Sequence, residues 1–203
     1  SVVGEPAHDL LTRLPRERPG EITLVTTGPL TNVALALRKD PDAVASYRRI
    51  VSMGGAFDVP GNTGGGPGSL GTAAEFNIYV DPEAASEVLA AGLDLTLIPL
   101  DATTEAVLLR RRLQRREVTS EPPRRRPDRS VSAVLYRALD YYMNFQSDET
   151  GLDGGFMHDP LTVASAVHPE LLRTRKASVA VGLNGAERGR TAVARHRSGA
   201  GTV

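Results

Sequence analysis

Four groups of side chains that could do chemistry stand directly after apolar runs of the sequence. They are Thr26-Thr27, Met53, the pair Glu75 and Asn77, and His158-Asp159. In a parallel sheet, ligands gather beyond the carboxyl ends of the strands, because the chain leaves every strand at the same edge. We therefore expect the four groups to meet on one rim and to form a single site.

Glu75 and Asn77 are separated by one residue, so their side chains point to the same side if this segment is extended. A carboxylate beside a carboxamide offers both acceptors and donors to the hydroxyl groups of a sugar. The same two residue types also cap turns and helices. The sequence leaves both interpretations open.

His158-Asp159 couples a side chain that titrates near neutral pH to a hard oxygen ligand. This dipeptide suits acid–base catalysis or a site for Ca²⁺ or Mg²⁺. The chain contains no Cys, which excludes a disulfide, a thiolate metal site and a cysteine nucleophile. Any metal must therefore be held by oxygen or imidazole.

The elements that must position these groups alternate between strand and helix. Strands are predicted at 21–27, 49–53 and 93–100, and helices at 31–39, after Asp81-Pro82 and at 130–145. Two later segments, 177–183 and 191–195, predict a hairpin, and the glycine-rich stretch 61–72 predicts a loop. The order indicates an α/β fold with a mainly parallel sheet covered by helices.

Length and charge narrow the class of protein. The 203 residues suffice for one domain, and 24 basic residues balance 24 acidic ones, which disfavours a dedicated nucleic-acid or membrane-surface binder. No stretch approaches the roughly 20 apolar residues of a membrane helix, and the first residues lack a signal-peptide layout. A cytoplasmic location is expected.

The arginine-rich stretch 105–130 fits a solvated loop and helix face better than a phosphate-binding patch, because no aromatic side chains are interleaved with it.

Five segments together resemble the nucleoside hydrolase family of the inosine/uridine-preferring type. They are ITLVTTGPLTNVALAL (22–37), IVSMGGA (50–56), AEFNIYVDPEAA (74–85), LIPLDAT (97–103) and GGFMHDPLTVA (154–164). The resemblance implies a single α/β domain over residues 1–203 with a Rossmann-like core. It also implies a bound Ca²⁺ and a role in purine or pyrimidine salvage. The implied reaction is hydrolysis of the N-glycosidic bond of ribonucleosides to ribose and free base, with a calcium-activated water as the nucleophile. A homo-oligomer is implied for the complete protein, with no nucleic-acid or membrane partner.

The resemblance also assigns roles to five side chains of the site. His158 is similar to the family's histidine that acts as general acid to the leaving base. Met53, Glu75 and Asn77 match positions that contact the ribose, and Asn62 matches a further one. A glycine-rich stretch longer than the family's usual spacing separates Asn62 from Glu75.

Two residues resemble the family's calcium ligands, namely Asp159 through its carboxylate and Thr27 through its backbone carbonyl. The family's aspartate-rich motif DxDxxxDD, which supplies the other carboxylates and the general base, has no match in this chain. The chain is therefore expected to be truncated at both ends relative to the family. An alternative of a different class is a non-catalytic protein that binds nucleosides, or assembles with partners, on the same scaffold.

The sequence does not fix the preferred base. Four side chains of the predicted helix at 130–146 either border the base or serve as ordinary core and surface residues, namely Tyr136, Tyr141, Tyr142 and Asn144.

The two ligands named above, one carboxylate and one carbonyl, are fewer than the about six to eight oxygens that Ca²⁺ takes. Residues 1–203 alone are therefore expected to bind calcium weakly and to hydrolyse little substrate. Isothermal titration calorimetry with calcium chloride should show little heat of binding. Tight binding of one ion per chain would contradict this expectation.

Overall fold

The computed structural model describes residues 4–63, 73–112 and 131–193. The helices are α1 (Ala7–Glu17), α2 (Thr31–Lys39), α3 (Pro41–Ala45), α4 (Phe76–Val80), α5 (Pro82–Ala90), α6 (Leu100–Thr103), α7 (Val131–Thr150) and α8 (His158–Val167). The strands are β1 (Thr23–Thr26), β2 (Arg49–Met53), β3 (Leu95–Ile98), β4 (Val107–Leu109), β5 (Gly154–Phe156), β6 (Val179–Val181) and β7 (Thr191–Val193). Short 3₁₀ turns occur at Pro169–Leu171 and Gly185–Glu187.

Strands β1, β2 and β3 form a parallel sheet in that order, as the strand-then-helix pattern predicts. The central strand β2 is buried along most of its length, and its Val51 lies between Val25 and Thr96. Helices α2, α3, α4 and α5 contribute to the main core around this sheet, and α8 packs on β1 and β2. The α/β fold class is confirmed.

Predicted and observed bounds agree where the sequence has strong stop signals. Both α2 and β2 have the predicted bounds. The third strand ends at Ile98, two residues before its predicted end, because Pro99 has no N–H for the ladder and Leu100 starts α6.

Two antiparallel pairs complete the described part of the chain. One pair joins β4 to β5, and the predicted C-terminal hairpin is present as β6 and β7. β6 is shorter than the predicted 177–183, whereas β7 starts at the predicted Thr191 and residues 194–195 lie outside the described residues. Residues 64–72 of the predicted glycine-rich loop and residues 113–130 of the arginine-rich stretch lie outside the described residues. Within the described ranges, no helix has the length and apolar character needed to cross a membrane.

Asp81 marks the start of α5, as predicted. Its carboxylate accepts the backbone N–H of Ala84 at 3.0 Å and the hydroxyl of Thr31, and Pro82 occupies the first turn. Capping by an aspartate satisfies an N–H that the helix cannot pair internally. Asp81 therefore also ties α5 to the start of α2.

We expect Asp81→Ala to lower the free energy of unfolding by about 1–2 kcal/mol, because the Ala84 amide and the Thr31 hydroxyl both lose their acceptor. Urea denaturation would measure the change. Asp42→Ala, an exposed position in the first turn of α3, is the control and should cost less than about 0.5 kcal/mol. Equal losses in the two variants would contradict the capping role.

Candidate active site

The carboxyl ends of the three parallel strands meet at one rim, where backbone bonds join the segments that follow them. The amide of Gly54 donates to the carbonyl of Ile98 at 3.1 Å, and the amide of Leu100 donates to the carbonyl of Gly55 at 2.8 Å. The segment after β2 is thereby fixed against the end of β3. The side chains that the sequence singled out are arranged around this junction.

Glu75 is the buried centre of the rim, with 2% of its surface exposed. Its Oε2 accepts the backbone N–H groups of Gly55 at 3.0 Å and Ile78 at 3.2 Å, and its Oε1 accepts that of Asn77 at 2.9 Å. Burial raises the pKa of Glu75, and these three amides oppose that rise because they favour the ionised form.

Of the two interpretations that the sequence leaves open for Glu75 and Asn77, the structure supports the capping one, and the segment is not extended. Glu75 is the N-cap of α4, and Asn77 lies within the helix. The helix forms because the Glu75 carboxylate satisfies two of its first amides, an arrangement that corresponds to the capping interpretation.

Asn77 and Met53 are nevertheless brought together. The Asn77 Nδ2 donates to the Met53 carbonyl at 3.3 Å and lies 3.2 Å from the Met53 sulfur. Met53 is 3% exposed at the end of β2, whereas Asn77 is half-buried. A thioether, a carboxylate and a carboxamide therefore lie side by side at the rim.

Asn62 reaches the same place despite the long glycine-rich stretch that separates it from Glu75 in sequence. Its Oδ1 accepts the amide of Phe76 at 2.8 Å, and its own amide donates to the carbonyl of Ala74 at 3.1 Å. These bonds tie Asn62 to both neighbours of Glu75. Its side chain is exposed at the edge of the cluster.

His158 begins α8 and is oriented by a residue that sequence reasoning did not single out. Its Nδ1 lies 2.7 Å from the hydroxyl of Thr103, which is fully buried at the end of α6. The Phe156 ring packs against the imidazole with centroids 5.6 Å apart. Burial lowers the pKa of His158. The only sequence signal for Thr103 is its place just after the third predicted strand.

Asp159 lies in the first turn of α8. Burial is the main cause of the raised pKa values of Glu75 and Tyr142, and the charge of Asp159 raises both further. Partial desolvation raises the pKa of Asp159 itself. Thr27, the other predicted metal ligand, is exposed directly after β1.

The described residues do not by themselves fit a calcium ion. Within 4–63, 73–112 and 131–193, no group of three or more His, Asp or Glu side chains is arranged to hold a metal. One carboxylate and one carbonyl fall well short of the about six to eight oxygens that Ca²⁺ takes.

The side chains of α7 that the sequence proposed for the base differ in their surroundings. The Tyr142 hydroxyl donates to the carbonyl of Phe156 at 3.2 Å, next to His158, whereas Tyr141 is 78% exposed and Asn144 accepts a bond from Arg110. Tyr136 also takes part in an interaction, so it is not free.

Gln146, one turn beyond Tyr142 on the same face of α7, was missed by sequence reasoning. Its Oε1 is buried and has no hydrogen-bond partner within the described part of the chain. A glutamine on a helix carries no local signal of such a role. A buried polar atom of this kind needs a partner, and a bound ligand can supply one.

Comparison with known proteins agrees with this architecture. Residues 2–202 match the family model of inosine-uridine preferring nucleoside hydrolases. The chain is 38% identical over 180 residues to a pyrimidine-specific ribonucleoside hydrolase, RihA, of Salmonella newport (strain SL254), an alignment that covers 88% of this chain and 53% of the relative. An uncharacterized protein of Schizosaccharomyces pombe is 37% identical over 178 residues, with the same two coverages. The chain thus spans about half the length of the curated relatives it matches.

Two solved structures are also similar. A plant nucleoside hydrolase, PpNRh1, superposes with a TM-score of 0.84 at 30% identity. The match covers 100% of this chain and 59% of the plant chain. A purine-preferring ribonucleoside hydrolase from Gardnerella vaginalis superposes with a TM-score of 0.83 at 30% identity. This match covers 98% of this chain and 58% of the Gardnerella chain.

We expect Glu75→Ala to lower the free energy of unfolding by at least about 3 kcal/mol, because three backbone amides lose their acceptor and each orphaned amide costs about 1–3 kcal/mol. Glu75→Gln keeps one acceptor oxygen and should lose clearly less. Chemical denaturation monitored by circular dichroism measures both. A loss below about 1 kcal/mol in Glu75→Ala would contradict the anchoring role of the carboxylate.

Proposed function

Because the chain belongs to the inosine-uridine preferring nucleoside hydrolase family, we propose that its protein hydrolyses the N-glycosidic bond of ribonucleosides to ribose and free base. The observation that carries the proposal is the cluster of Met53, Glu75 and Asn77 on the rim that also holds His158. The cluster offers contacts to a sugar, and His158 offers a proton donor for the departing base.

In the proposed complex, the ribose lies against Met53 and Asn77. The Met53 sulfur gives an apolar, polarisable surface, and the Asn77 and Asn62 amides offer hydrogen bonds to hydroxyl groups. Glu75 holds the backbone of this surface through its three amide bonds, and its Oε1 accepts only one of them. That oxygen has capacity for a sugar hydroxyl.

Positive charge develops on the ribose ring as the glycosidic bond breaks. We assign the electrostatic stabilisation of this charge to the carboxylates of Asp159 and Glu75. Burial is the main cause of the raised pKa of Glu75, and the charge of Asp159 adds to it.

The departing base must gain a proton, and we propose that His158 gives it. In the imidazolium form both ring nitrogens carry a proton, so Nδ1–H donates to the Thr103 hydroxyl and Nε2–H is left for the departing base. Transfer of the Nε2 proton leaves a neutral imidazole. Burial lowers the pKa of His158, so its imidazolium form is a stronger acid but is less populated at neutral pH.

The family is metal-dependent, and we propose Ca²⁺ as the ion, with Asp159 and the Thr27 carbonyl as two of its ligands. Hydrolysis also requires a water that forms a bond to the ribose carbon losing the base and a group that takes the proton of that water. The described residues supply neither a complete calcium site nor such a base, and the family's DxDxxxDD motif, which would supply the base, has no match in this chain.

The substrate class proposed is ribonucleosides in general. One relative is named as pyrimidine-specific and one similar structure as purine-preferring, so these similarities do not indicate which base this chain would prefer. We propose that Gln146 and Tyr142 line the side of the site where the base binds, because the unpaired Gln146 oxygen lies one helical turn from Tyr142. A cytoplasmic location, a homo-oligomeric assembly and a role in base salvage stay predictions from the sequence.

The test of the general acid compares uridine and inosine with a nitrophenyl riboside, whose leaving group needs no proton. We expect His158→Ala to slow release of the natural bases by about 100-fold or more and release of nitrophenol by less than about 10-fold. Steady-state kcat/KM for the three substrates is the measurement.

His168→Ala is the matched control, because His168 is an exposed histidine just beyond the other end of α8, paired with Glu170. It should leave all three rates unchanged. Equal slowing of every substrate in His158→Ala would contradict the general-acid role. A wild-type protein that binds ribonucleosides but hydrolyses none would favour the non-catalytic alternative.

A further inference from the structure

We propose that Thr191, at the start of β7, is a positioning residue for the ribose surface, the proposed sugar-contacting surface of Met53 and Asn77. It acts through the backbone of Gly55 and Ala56. This inference rests on the proposed function. It assigns to the C-terminal hairpin the task of holding in register the two segments that carry Met53 and Asn77.

The contact itself is reciprocal and buried. Thr191 is 3% exposed, and its hydroxyl accepts the Ala56 amide at 3.0 Å and donates to the Ala56 carbonyl at 2.8 Å. One side-chain oxygen thus satisfies both backbone polar groups of a residue 135 positions earlier in the chain. Buried backbone groups of this kind are costly when they have no partner.

Ala56 needs such a partner because the chain has already left the sheet. β2 ends at Met53, and Gly55 turns the backbone with a φ of +85°, a conformation that favours glycine. A Cβ at Gly55 would lie 3.2 Å from the Thr191 hydroxyl oxygen, so the hairpin packs directly on this turn. The same turn aims the Gly55 amide at the Glu75 carboxylate.

The hairpin also touches the second segment of the ribose surface. Arg190 forms a β-bridge with Ala74, the residue before Glu75. Gly189 approaches α4 so closely that an added Cβ would lie 2.8 Å from the Tyr79 Cα. Three consecutive residues of the hairpin therefore contact the turn after β2 and both flanks of Glu75.

The hydrogen bond from Asn77 to Met53 is the contact most easily lost if the two segments shift relative to each other. At 3.3 Å the Nδ2 to carbonyl distance is already long for a hydrogen bond, so a shift of a few tenths of an ångström breaks it. Because these side chains are proposed to bind ribose and not to transfer a proton, loss of register should weaken binding more than the chemical step.

The experiment compares three variants in the full chain. Thr191→Val keeps the shape but removes the hydroxyl, and Thr191→Ser keeps the hydroxyl but removes the methyl group. Tyr47→Phe is the matched control, since it also removes a buried hydroxyl, one that donates to the Leu11 carbonyl at 2.9 Å in the packing of α1.

The first readout is amide hydrogen exchange at Asn77 and Ile78, whose amides are held by Glu75 and for which Thr191 supplies no acceptor. We expect exchange there to quicken about 10-fold in Thr191→Val and to stay at the wild-type rate in Thr191→Ser and Tyr47→Phe. The second readout is hydrolysis of uridine and inosine. KM should rise about 5- to 20-fold in Thr191→Val with kcat within about 3-fold, and Thr191→Ser should restore KM.

Each other outcome decides against the inference. Wild-type exchange at Asn77 and Ile78 in Thr191→Val would overturn it, and so would a Thr191→Ser variant as impaired as Thr191→Val. An equal rise of KM in Tyr47→Phe would show that general destabilisation is the cause. Residues 1–203 alone are expected to hydrolyse little substrate, and where no hydrolysis is measurable the exchange comparison alone decides whether Thr191 holds the two segments.

Discussion

The site depends on one buried charge, the carboxylate of Glu75, and on the three backbone amides that surround it. A carboxylate removed from water is costly unless its oxygens are paired, and here the partners are main-chain groups of Gly55, Asn77 and Ile78. One interaction therefore sets the turn after β2 and starts α4. The positions of Met53 and Asn77 follow from it, because each lies on one of the two segments that the carboxylate joins.

The proton donor proposed for the site comes from a different part of the chain and is held independently. The N-terminal end of α8 is set by the contact between His158 and Thr103, while near its other end the carbonyl of Ala166 accepts a bond from the Arg49 guanidinium at the start of β2. The helix is thus tied near both ends to neighbours of the parallel sheet. The sheet therefore fixes the position of His158 relative to the side chains proposed to bind the sugar.

Elements with local stop and start signals could be predicted from the sequence, and contacts between distant residues could not. The bounds of α2 and β2 and the cap at Asp81 follow from nearby glycines, prolines and capping residues. The sequence left Glu75 open between an extended and a capping interpretation, and the local amides of Asn77 and Ile78 decide for the cap. The third bond of its carboxylate, from the Gly55 amide 20 positions away, could not be predicted. Thr103 and Gln146 were missed for a related reason, since a threonine or glutamine is informative only once its neighbours in space are known. The roles of His158, Asp159 and Thr27 stay predictions that the geometry supports to different degrees.

The contact between Thr191 and Ala56 has a consequence for the order in which the protein matures. The parallel sheet uses residues from the first half of the chain, so it can assemble while the ribosome is still making the second half. The turn after β2 gains its last hydrogen-bond partner only when Thr191, 135 positions after Ala56, has been synthesised. This contact closes a long loop of the chain, which costs conformational entropy. The surface proposed to bind ribose is therefore completed last, and a nascent chain that stops before the hairpin has the parallel sheet without the contact between Thr191 and Ala56.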